Sequence, residues 1–407
     1  MLNTGALRDY LKRNARWLLA GGLLTFLSSF GQTFFISVFA GEIRETFALS
    51  HGQWGGIYTI GTTLSAAVMV WAGSLTDHFR VRQLGPLILT GLAAACLSMA
   101  FNQWAWGLVP VVFLLRFFGQ GMSSHIAMVA MARWFTRTRG RALSIATVGF
   151  AAGEAILPLL FVSAMAFVDW RWLWVVAAGL ALLGIPLLMR LLTEERTPQS
   201  FSQSYVAFGM DGLQWTRKQA LHHPLFWMMV PAILGPSAFV TAFFFHQVHL
   251  AEVKGWEHVE LVALFPLYTA VGMGSMFAAG WALDKFGTAG LIPFYQLPMA
   301  AGFLVFGIGD STATAILGIS LIGVTSGANS TLPAAFWAEF YGTAHIGAIK
   351  SLATAVMVLG SAIGPGLTGA FIDLGWGIEG QFTAIALYFC MTAGLTWLGV
   401  SRAKRTL

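Results

Sequence analysis

A charged turn that occurs twice constrains the fold of this chain more than any other feature. The first copy, Gly73-Ser-Leu-Thr-Asp77-His-Phe-Arg80-Val-Arg82, lies between two long apolar segments. The second, Gly280-Trp-Ala-Leu-Asp284-Lys285-Phe286-Gly287, lies 207 residues further on, which is the spacing from Asp77 to Asp284. The same spacing pairs Gly140 with Gly347, Ser144 with Ser351, Gly153 with Gly360 and Pro158 with Pro365. The chain is therefore predicted to consist of two similar halves, a pattern typical of transporters built from parallel repeats.

Composition places both halves in a bilayer. Of the 407 residues, 57% are hydrophobic and only 10% are charged, whereas a soluble domain carries about 25% charged residues. A membrane-spanning helix needs about 20 apolar residues. Twelve such segments are predicted, at residues 17–41, 52–75, 85–103, 107–132, 142–168, 171–192, 226–251, 259–283, 288–308, 313–336, 348–372 and 381–401. The predicted fold class is an all-α membrane protein with twelve transmembrane helices in two pseudo-symmetric six-helix bundles.

One polar stretch separates the sixth and seventh segments. The predicted domains are an N-terminal six-helix bundle at 1–192, a cytoplasmic linker at 193–225 and a C-terminal six-helix bundle at 226–407. The later part of the linker, from Gly212, fits either a short helix at the membrane surface or a flexible tether. Most of the 23 Lys and Arg residues fall on one side if both termini are cytoplasmic. By the positive-inside rule this predicts a multi-pass protein of the bacterial inner (plasma) membrane.

Several classes of function are excluded by missing patterns. The two cysteines, Cys96 and Cys390, lie in apolar runs and indicate neither a disulfide framework nor a metal site. The net charge of +6 is not clustered on a soluble domain, so no nucleic-acid partner is expected. There is no P-loop and no nucleophile–base spacing. No cofactor, no metal and no enzymatic activity are therefore expected, and the first apolar run is too long for a cleaved signal.

Six plus six helices with a G-x-x-x-D turn after the second resemble the major facilitator superfamily over essentially the whole chain. In that family the turn reads roughly G-x-x-x-D-[RK]-x-G-[RK]-[RK]. In the first copy, His78, Arg80 and Val81 depart from this pattern, and the second copy lacks the trailing bases. The resemblance implies that the two turns latch the inner face as gates and do not bind substrate. The residues that match and carry this gating role are Gly73, Asp77, Arg82, Gly280, Asp284 and Lys285.

Finer resemblance points to one branch of that family. The runs Ser29-Phe-Gly-Gln-Thr-Phe-Phe35, Arg116-Phe-Phe-Gly-Gln-Gly121 and His223-Pro-Leu-Phe-Trp227 are similar to bacterial proteins near the monocarboxylate and oxalate/formate transporters. The resemblance implies a small organic anion as substrate. The expected partners are this small molecule, the lipid bilayer and protons, and the protein is expected to be a monomer.

Two charged residues lie near the middle of apolar segments, where each costs about 2.5–3.5 kcal/mol on insertion scales. Arg116 lies in the fourth segment and Glu154 in the fifth, and neither is repeated in the second half, where Gly323 and Ser361 occupy the equivalent positions. One interpretation is a buried structural ion pair between them. The other is that Arg116 binds an anionic substrate through its planar guanidinium while Glu154 carries a coupling proton.

Other polar residues of the apolar segments are candidates for substrate binding. They are Gln32, Gln120, Ser124, His125, Asn329 and His246. By the resemblance, several line a central cavity, although Ser side chains more often bond their own helix backbone. His246 and His249 share one helix face at the outer end of the seventh segment, which favours a role at an outer gate over a metal site.

Two functions remain open at this point. The first is a secondary active transporter that moves a small organic anion by rocker-switch alternating access, either as a proton-coupled symporter or as an antiporter. The second is a proton-coupled exporter of lipophilic or cationic compounds with the same fold. The first predicts binding that depends on Arg116, and the second predicts binding that depends on Glu154.

Overall fold

The apolar segments fold into helices. The computed structural model describes residues 4–135, 138–194 and 208–404, and every regular element in these ranges is a helix. Helices are favoured in a bilayer because they satisfy their backbone N–H and C=O groups internally. In the described ranges, ten helices are long and apolar enough to span a membrane. A bent pair, Arg8–Gly31 with Thr33–Phe47, and the shorter Leu297–Ile308 complete twelve segments. The predicted all-α membrane fold is confirmed.

We name these segments helix one to helix twelve in chain order. The continuous helices are two (His51–Ala72), three (Val81–Phe101), five (Arg139–Met165), six (Trp170–Leu191), nine (Leu297–Ile308), eleven (Ile346–Asp373) and twelve (Ile378–Ala403). The interrupted ones are one (Thr4–Leu27, Thr33–Ile36 and Ala40–Phe47), four (Leu108–Leu115, Arg116–Ser123 and Ser124–Trp134), seven (Pro224–Phe245 and Gln247–Lys254), eight (His258–Val262 and Phe265–Leu291) and ten (Thr312–Asn329 and Leu332–Tyr341). Hydropathy located each segment, but it did not reveal the interruptions.

The ninth segment differs most from its predicted range of 288–308. Helical structure continues from helix eight to Leu291 across a kink at Gly287, whose φ of 69° favours glycine. A turn follows, and helix nine begins only at Leu297. Pro293 lies in this turn and has no N–H to donate to a continuous helix.

The linker is described only in part. Residues 195–207, which include Glu195 and Arg196 of the predicted linker, lie outside the described residues. Further on, Arg217–His222 forms a short helix that starts with a capping box between Thr216 and Gln219. Trp215 donates its backbone N–H to the Tyr341 carbonyl at 3.1 Å. The end of the linker is therefore hydrogen-bonded to the end of helix ten.

The described residues fall into two units. The first takes its residues from 1–48 and 60–204, and the second from 49–59 and 205–407. In the first unit helix one packs on helix five and helix three on helix six. In the second unit helix seven packs on helix eleven and helix nine on helix twelve. The pairings in the two units are equivalent, as expected from the 207-residue repeat, while the domain bounds 1–192, 193–225 and 226–407 stay a prediction.

A buried lysine closes one end of the second unit. The Lys254 side chain is fully buried and donates to Asp310 at 2.7 Å and to Glu379. It thereby joins the end of helix seven to the residues before helix ten and to the start of helix twelve. Burial alone lowers the pKa of Lys254, but its hydrogen bonds to the two carboxylates and their negative charge outweigh this and raise the pKa above its usual value.

Replacing this lysine tests how much the cluster contributes to stability. Lys254→Met keeps the apolar stem and removes the charge. Because Asp310 and Glu379 are partly exposed, solvent limits the loss, and we expect the free energy of unfolding to fall by about 1–2 kcal/mol. Thermal unfolding in detergent measures this change. Lys285→Met is the matched control, because Lys285 is exposed and its described contacts are with the rings of Trp281 and Phe286. Equal melting temperatures for the two variants would contradict a stabilising role for the cluster.

Candidate functional site

Helix one is broken in the middle of its membrane segment. The α-helix ends at Leu27, a 3-10 turn follows, and Gln32 adopts extended backbone angles of φ −86° and ψ 154°. The parts before and after this point are bent by 46°. Ser28 donates its hydroxyl to the Thr25 carbonyl at 2.6 Å, and hydroxyls bonded in this way compete with regular helix bonds. The break therefore presents main-chain carbonyls inside the membrane segment.

Helix four has an irregular stretch opposite this break. Residues Arg116–Ser123 form a π-helix between two α-helical parts, a feature that often marks functional positions in helices. Two glycines let the two irregular stretches touch. A Cβ on Gly31 would lie 2.0 Å from the Leu115 carbonyl oxygen, and one on Gly119 would lie 2.5 Å from the Gly31 Cα. No side chain fits at either glycine.

Arg116 joins the two irregular stretches. Its side chain is only 1% exposed. Nη1 donates to the Gly31 carbonyl at 3.2 Å and to the Thr33 hydroxyl at 3.3 Å. The guanidinium thus satisfies a carbonyl that the broken helix leaves without a helical partner. These two partners of Arg116 lie in helix one, on either side of Gln32. The pairing of Arg116 with Glu154 stays a prediction.

Three further predicted site residues lie around the same break. Gln32 is at the break itself and is 7% exposed, while Gln120 belongs to the π-helical stretch and is half-buried. Glu154, also half-buried, follows Gly153 on helix five. A Cβ on Gly153 would lie 2.0 Å from the Ser29 Oγ, so helix five reaches the break through this glycine. Arg116, Gln32 and the backbone of Gln120 therefore meet at one interruption, which we call the helix-one break, and Glu154 directly follows the glycine through which helix five reaches it.

The next turn of helix four contacts the first gate turn. His125, predicted as a substrate ligand, lies with Nε2 3.2 Å from the Gly73 carbonyl. Arg133 donates from Nη1 to the Thr76 carbonyl at 2.5 Å. Ser124, the other candidate here, is half-buried one position before His125. Helix four thus carries a buried arginine at one level and holds the gate turn at another.

The structure describes fewer contacts for the remaining predicted gate residues. Arg82 donates to the Thr193 carbonyl at 3.0 Å, and the side chain of Asp77 lies outside the described part of the structure. In the second copy, Asp284 and Lys285 are both exposed, and nothing lies within 4 Å of a Cβ built on Gly280. Their gating role stays a prediction.

Asn329 lies at a second interruption, where the first part of helix ten ends. Its Oδ1 accepts from the Tyr295 hydroxyl at 3.1 Å. Gln296 is 2% exposed, donates to the Ala232 carbonyl and accepts from the Thr392 hydroxyl at 2.8 Å. Tyr295, Gln296 and Thr392 were not predicted from the sequence. Isolated polar residues in apolar runs were the available signal, and Gln296 is the clearest of them.

His246, the last predicted site residue, lies at the end of Pro224–Phe245. It is 3% exposed, and its Nε2 is 3.0 Å from the Pro365 carbonyl. The metal alternative considered for His246 and His249 has no support among the described residues, because no group of three or more His, Cys, Asp or Glu there could hold a metal ion.

Repeated helix bundles, broken membrane helices and a buried charge together define a class, the polytopic solute transporters. A sequence model of the Major Facilitator Superfamily matches residues 21–365. The chain belongs to the Major Facilitator Superfamily. It is therefore a multi-pass membrane transporter and not an enzyme, and it binds a small-molecule substrate within the membrane.

Individual relatives are more distant. The chain is 22% identical to monocarboxylate transporter 13 of Rattus norvegicus over 308 residues, which cover 74% of this chain and 68% of the relative. It is 25% identical over 357 residues to an uncharacterized 38 kDa protein of the 23S RNA operon of Thermoproteus tenax, with 86% and 85% covered.

Solved structures share the fold. A bacterial homolog of the human lysosomal transporter Spinster, crystallised in an inward-facing and unoccupied conformation, superposes with a TM-score of 0.72. It is 17% identical, and the match covers 97% of this chain and 98% of that chain. The occupied form of the same homolog gives 0.69, again at 17% identity, with 98% and 97% covered.

Proposed function

We propose that the protein is a secondary active transporter that moves a small organic anion, a carboxylate, across the bacterial inner membrane by alternating access. Transport is coupled to protons, the protein acts as a monomer, and both termini are cytoplasmic. The observation that carries the proposal is Arg116, a cation that is 1% exposed and lies at the helix-one break.

The position of this charge favours an anionic substrate. A neutral donor, such as a serine or asparagine side chain, would satisfy the Gly31 carbonyl without the cost of about 2.5–3.5 kcal/mol for an arginine in hydrocarbon. The positive charge therefore needs a second purpose. A guanidinium binds a carboxylate through two parallel hydrogen bonds and remains charged at every relevant pH. The name of the rat relative, a monocarboxylate transporter, is consistent with this substrate class.

We assign roles to the other candidate residues from their positions relative to Arg116. Gln32 and Gln120 flank the helix-one break and supply neutral donors for the rest of the substrate. Ser124, His125, Asn329 and His246 stay candidates from the sequence, although the contact of His125 with Gly73 favours a role in the first gate turn. The gates themselves are Gly73, Asp77, Arg82, Gly280, Asp284 and Lys285.

A ligand screen with a flux assay tests the proposal directly. The purified wild-type protein is screened by thermal shift against monocarboxylates, dicarboxylates, sulfonates, sugars and lipophilic cations at two pH values. We expect one class of carboxylates to raise the melting temperature. The same compounds should be taken up by liposomes that contain only this protein. If only neutral or cationic compounds stabilise the protein, the anion proposal is wrong.

Glu154 is the proposed carrier of the coupling proton. Glu154→Gln mimics the protonated carboxyl without allowing its release. We expect the variant to exchange substrate between the two sides of a liposome, while a pH gradient no longer drives accumulation above equilibrium. Counterflow and gradient-driven uptake are measured on the same preparation. Glu339→Gln is the matched control, because it also removes a carboxylate. Glu339 lies in helix ten, far from Glu154 in sequence, and accepts from the Thr288 hydroxyl. Accumulation that survives in Glu154→Gln would remove Glu154 from the coupling mechanism.

The competing function is export of lipophilic or cationic compounds. It is favoured by the half-buried carboxylate of Glu154, which would bind a cation directly. The same screen separates the two functions. Stabilisation by lipophilic cations that disappears in Glu154→Gln and persists in Arg116→Ala would establish the exporter.

A further inference from the structure

The start of helix two packs within the second unit, apart from the rest of that helix. We call residues 49–59 the helix-two tip; they group with helices seven to twelve, whereas helix two from Ile60 groups with the first unit. The Trp54 and Tyr58 rings contact the Phe245 ring with centroids 5.6 and 4.7 Å apart. Thr59 donates to the Ala362 carbonyl at 2.7 Å. The tip is thus docked on the ends of helices seven and eleven.

Three histidines meet at this docked contact. The His51 ring, from the tip, lies 4.2 Å from the His249 ring and 6.0 Å from the His246 ring, between centroids. We call these three residues the histidine cluster. His246 is 3% exposed, with Nε2 3.0 Å from the Pro365 carbonyl. The three imidazoles come from two segments that are almost 200 residues apart in sequence, and they meet only while the tip is docked.

Two carboxylates face the cluster. Asp373 of helix eleven accepts from the Ser50 hydroxyl at 2.5 Å and from the backbone N–H groups of Gly52 and His51 at 2.8 and 3.1 Å. Its oxygens are therefore occupied by the first turn of helix two. Glu252, on the same helical segment as His249, lies 3.8 Å from the His249 Nδ1 and is 60% exposed. Solvent therefore screens its charge.

A buried lysine near this end of the second unit keeps its charge. Lys254 is bound to Asp310 and Glu379 and stays protonated throughout the range in which histidines titrate. Histidine is the side chain whose ordinary pKa lies between pH 5 and 8. Acid therefore changes the charge of this contact through the histidine cluster.

We propose that the histidine cluster is a proton-binding site that controls docking of the helix-two tip. A first proton is accommodated next to Asp373. A second proton places two like charges on rings whose centroids are about 4–6 Å apart, one of them buried, and this opposes docking. Release of the tip separates His51 from the other two rings and removes the repulsion. Protons on the side of the membrane where the helix-two tip lies thus favour the state in which the tip has left helices seven and eleven.

The direction of the pH effect follows from this geometry. The docked cluster binds its second proton more weakly than the released one. Docking is therefore complete while the released cluster holds at most one proton, and it is lost as pH falls through the range in which histidines titrate, about pH 5–8. Each pKa unit of difference between the two states changes the docking equilibrium tenfold.

Spin labels on either side of the contact test this proposal in the full-length protein in nanodiscs. Gly56→Cys is suitable because nothing lies within 4 Å of a Cβ at this glycine, and Val253→Cys is suitable because Val253 is 44% exposed. Cys390, the exposed native cysteine, is changed to alanine. We expect the population with the short Gly56–Val253 distance to fall at least tenfold relative to the long one between pH 8 and pH 5.5. The triple variant His51→Gln, His246→Gln, His249→Gln should keep one distance distribution at both pH values.

Two controls make the result decisive. His222→Gln changes an exposed histidine that does not belong to the histidine cluster and whose Nδ1 contacts the Lys218 carbonyl. This variant should keep the wild-type pH response. His51→Gln alone should weaken the response and serves if the triple variant does not fold. The proposal is overturned if the wild-type distances do not change with pH, or if variants without the cluster respond as the wild type does. No substrate is present, so this outcome is independent of the anion proposal.

Discussion

Arg116→Lys should lose about 10- to 150-fold in substrate affinity, and Arg116→Ala should lose saturable uptake entirely. Lysine keeps the positive charge but not the planar fork, so it contacts a carboxylate through one nitrogen only. The lost charge-assisted hydrogen bond is worth about 1.5–3 kcal/mol, which corresponds to that range of affinity. Alanine removes the charge as well. Uptake into liposomes and isothermal titration with the carboxylate that stabilises the wild type measure both effects.

A structural role for Arg116 makes a different prediction, because the residue also bonds the helix-one break. If its only role is to donate to Gly31 and Thr33, Arg116→Lys should bind the substrate with wild-type affinity. Both Arg116 variants should then differ from the wild type mainly in melting temperature. Arg171→Lys and Arg171→Ala are the matched controls. Arg171 donates to the carbonyls of Ala100 and Asn102 at 2.9 and 2.7 Å, so it supports main-chain carbonyls in the same way at another end of the bundle. Its variants should lose stability but keep affinity.

Hydropathy and the internal repeat were sufficient to predict the architecture of this chain. Each apolar segment of about 20 residues must form a helix in a bilayer because its backbone has no other hydrogen-bonding partner. The repeat then predicts that the two halves use equivalent packing, as the pairs one with five and seven with eleven show. Both inferences depend on averages over many residues, so single substitutions do not disturb them.

The interruptions could not be predicted in the same way. The break at Gln32 depends on the contact between Gly31 and Gly119, which are separated by almost 90 residues and by two intervening helices. A π-helical stretch such as Arg116–Ser123 contains two glycines, but glycine is also frequent in regular membrane helices. Local propensity therefore gives no signal, and the irregular geometry is fixed by packing between distant segments.

The candidate site, like the fold, could be predicted from the sequence only in part. The sequence identified Arg116 as exceptional because a charge in an apolar run is costly. It suggested Glu154 as a partner, and this pairing stays a prediction; it did not suggest the described hydrogen bonds to a main-chain carbonyl and a threonine of helix one. Carbonyls become available only where a helix breaks, so this type of partner is invisible until the backbone is known. His51 was missed for a related reason, since its neighbours His246 and His249 are distant in sequence.

The second large effect is expected from a single methyl group at the contact between the broken helices. Gly119→Ala places a Cβ 2.5 Å from the Gly31 Cα and 2.7 Å from its nitrogen. Both are backbone atoms and cannot rotate away. Helices one and four must separate by more than an ångström, which in packed cores costs about 1–3 kcal/mol or more. The melting temperature should fall, and uptake should fall further, because the same separation lengthens the hydrogen bond from Arg116 to Gly31.

Gly179→Ala is the matched control for this variant. It makes the same change in helix six of the same unit, where nothing lies within 4 Å of the added carbon. Alanine there gains helix propensity of up to about 1 kcal/mol, so stability and uptake should stay at or above wild-type values. The contrast separates the contact from the general cost of replacing a membrane glycine. If Gly119→Ala behaves like Gly179→Ala, helices one and four adjust without loss, and Arg116 does not depend on the close approach of Gly31 and Gly119. If uptake fails while melting changes little, the geometry of the break, rather than its stability, limits transport.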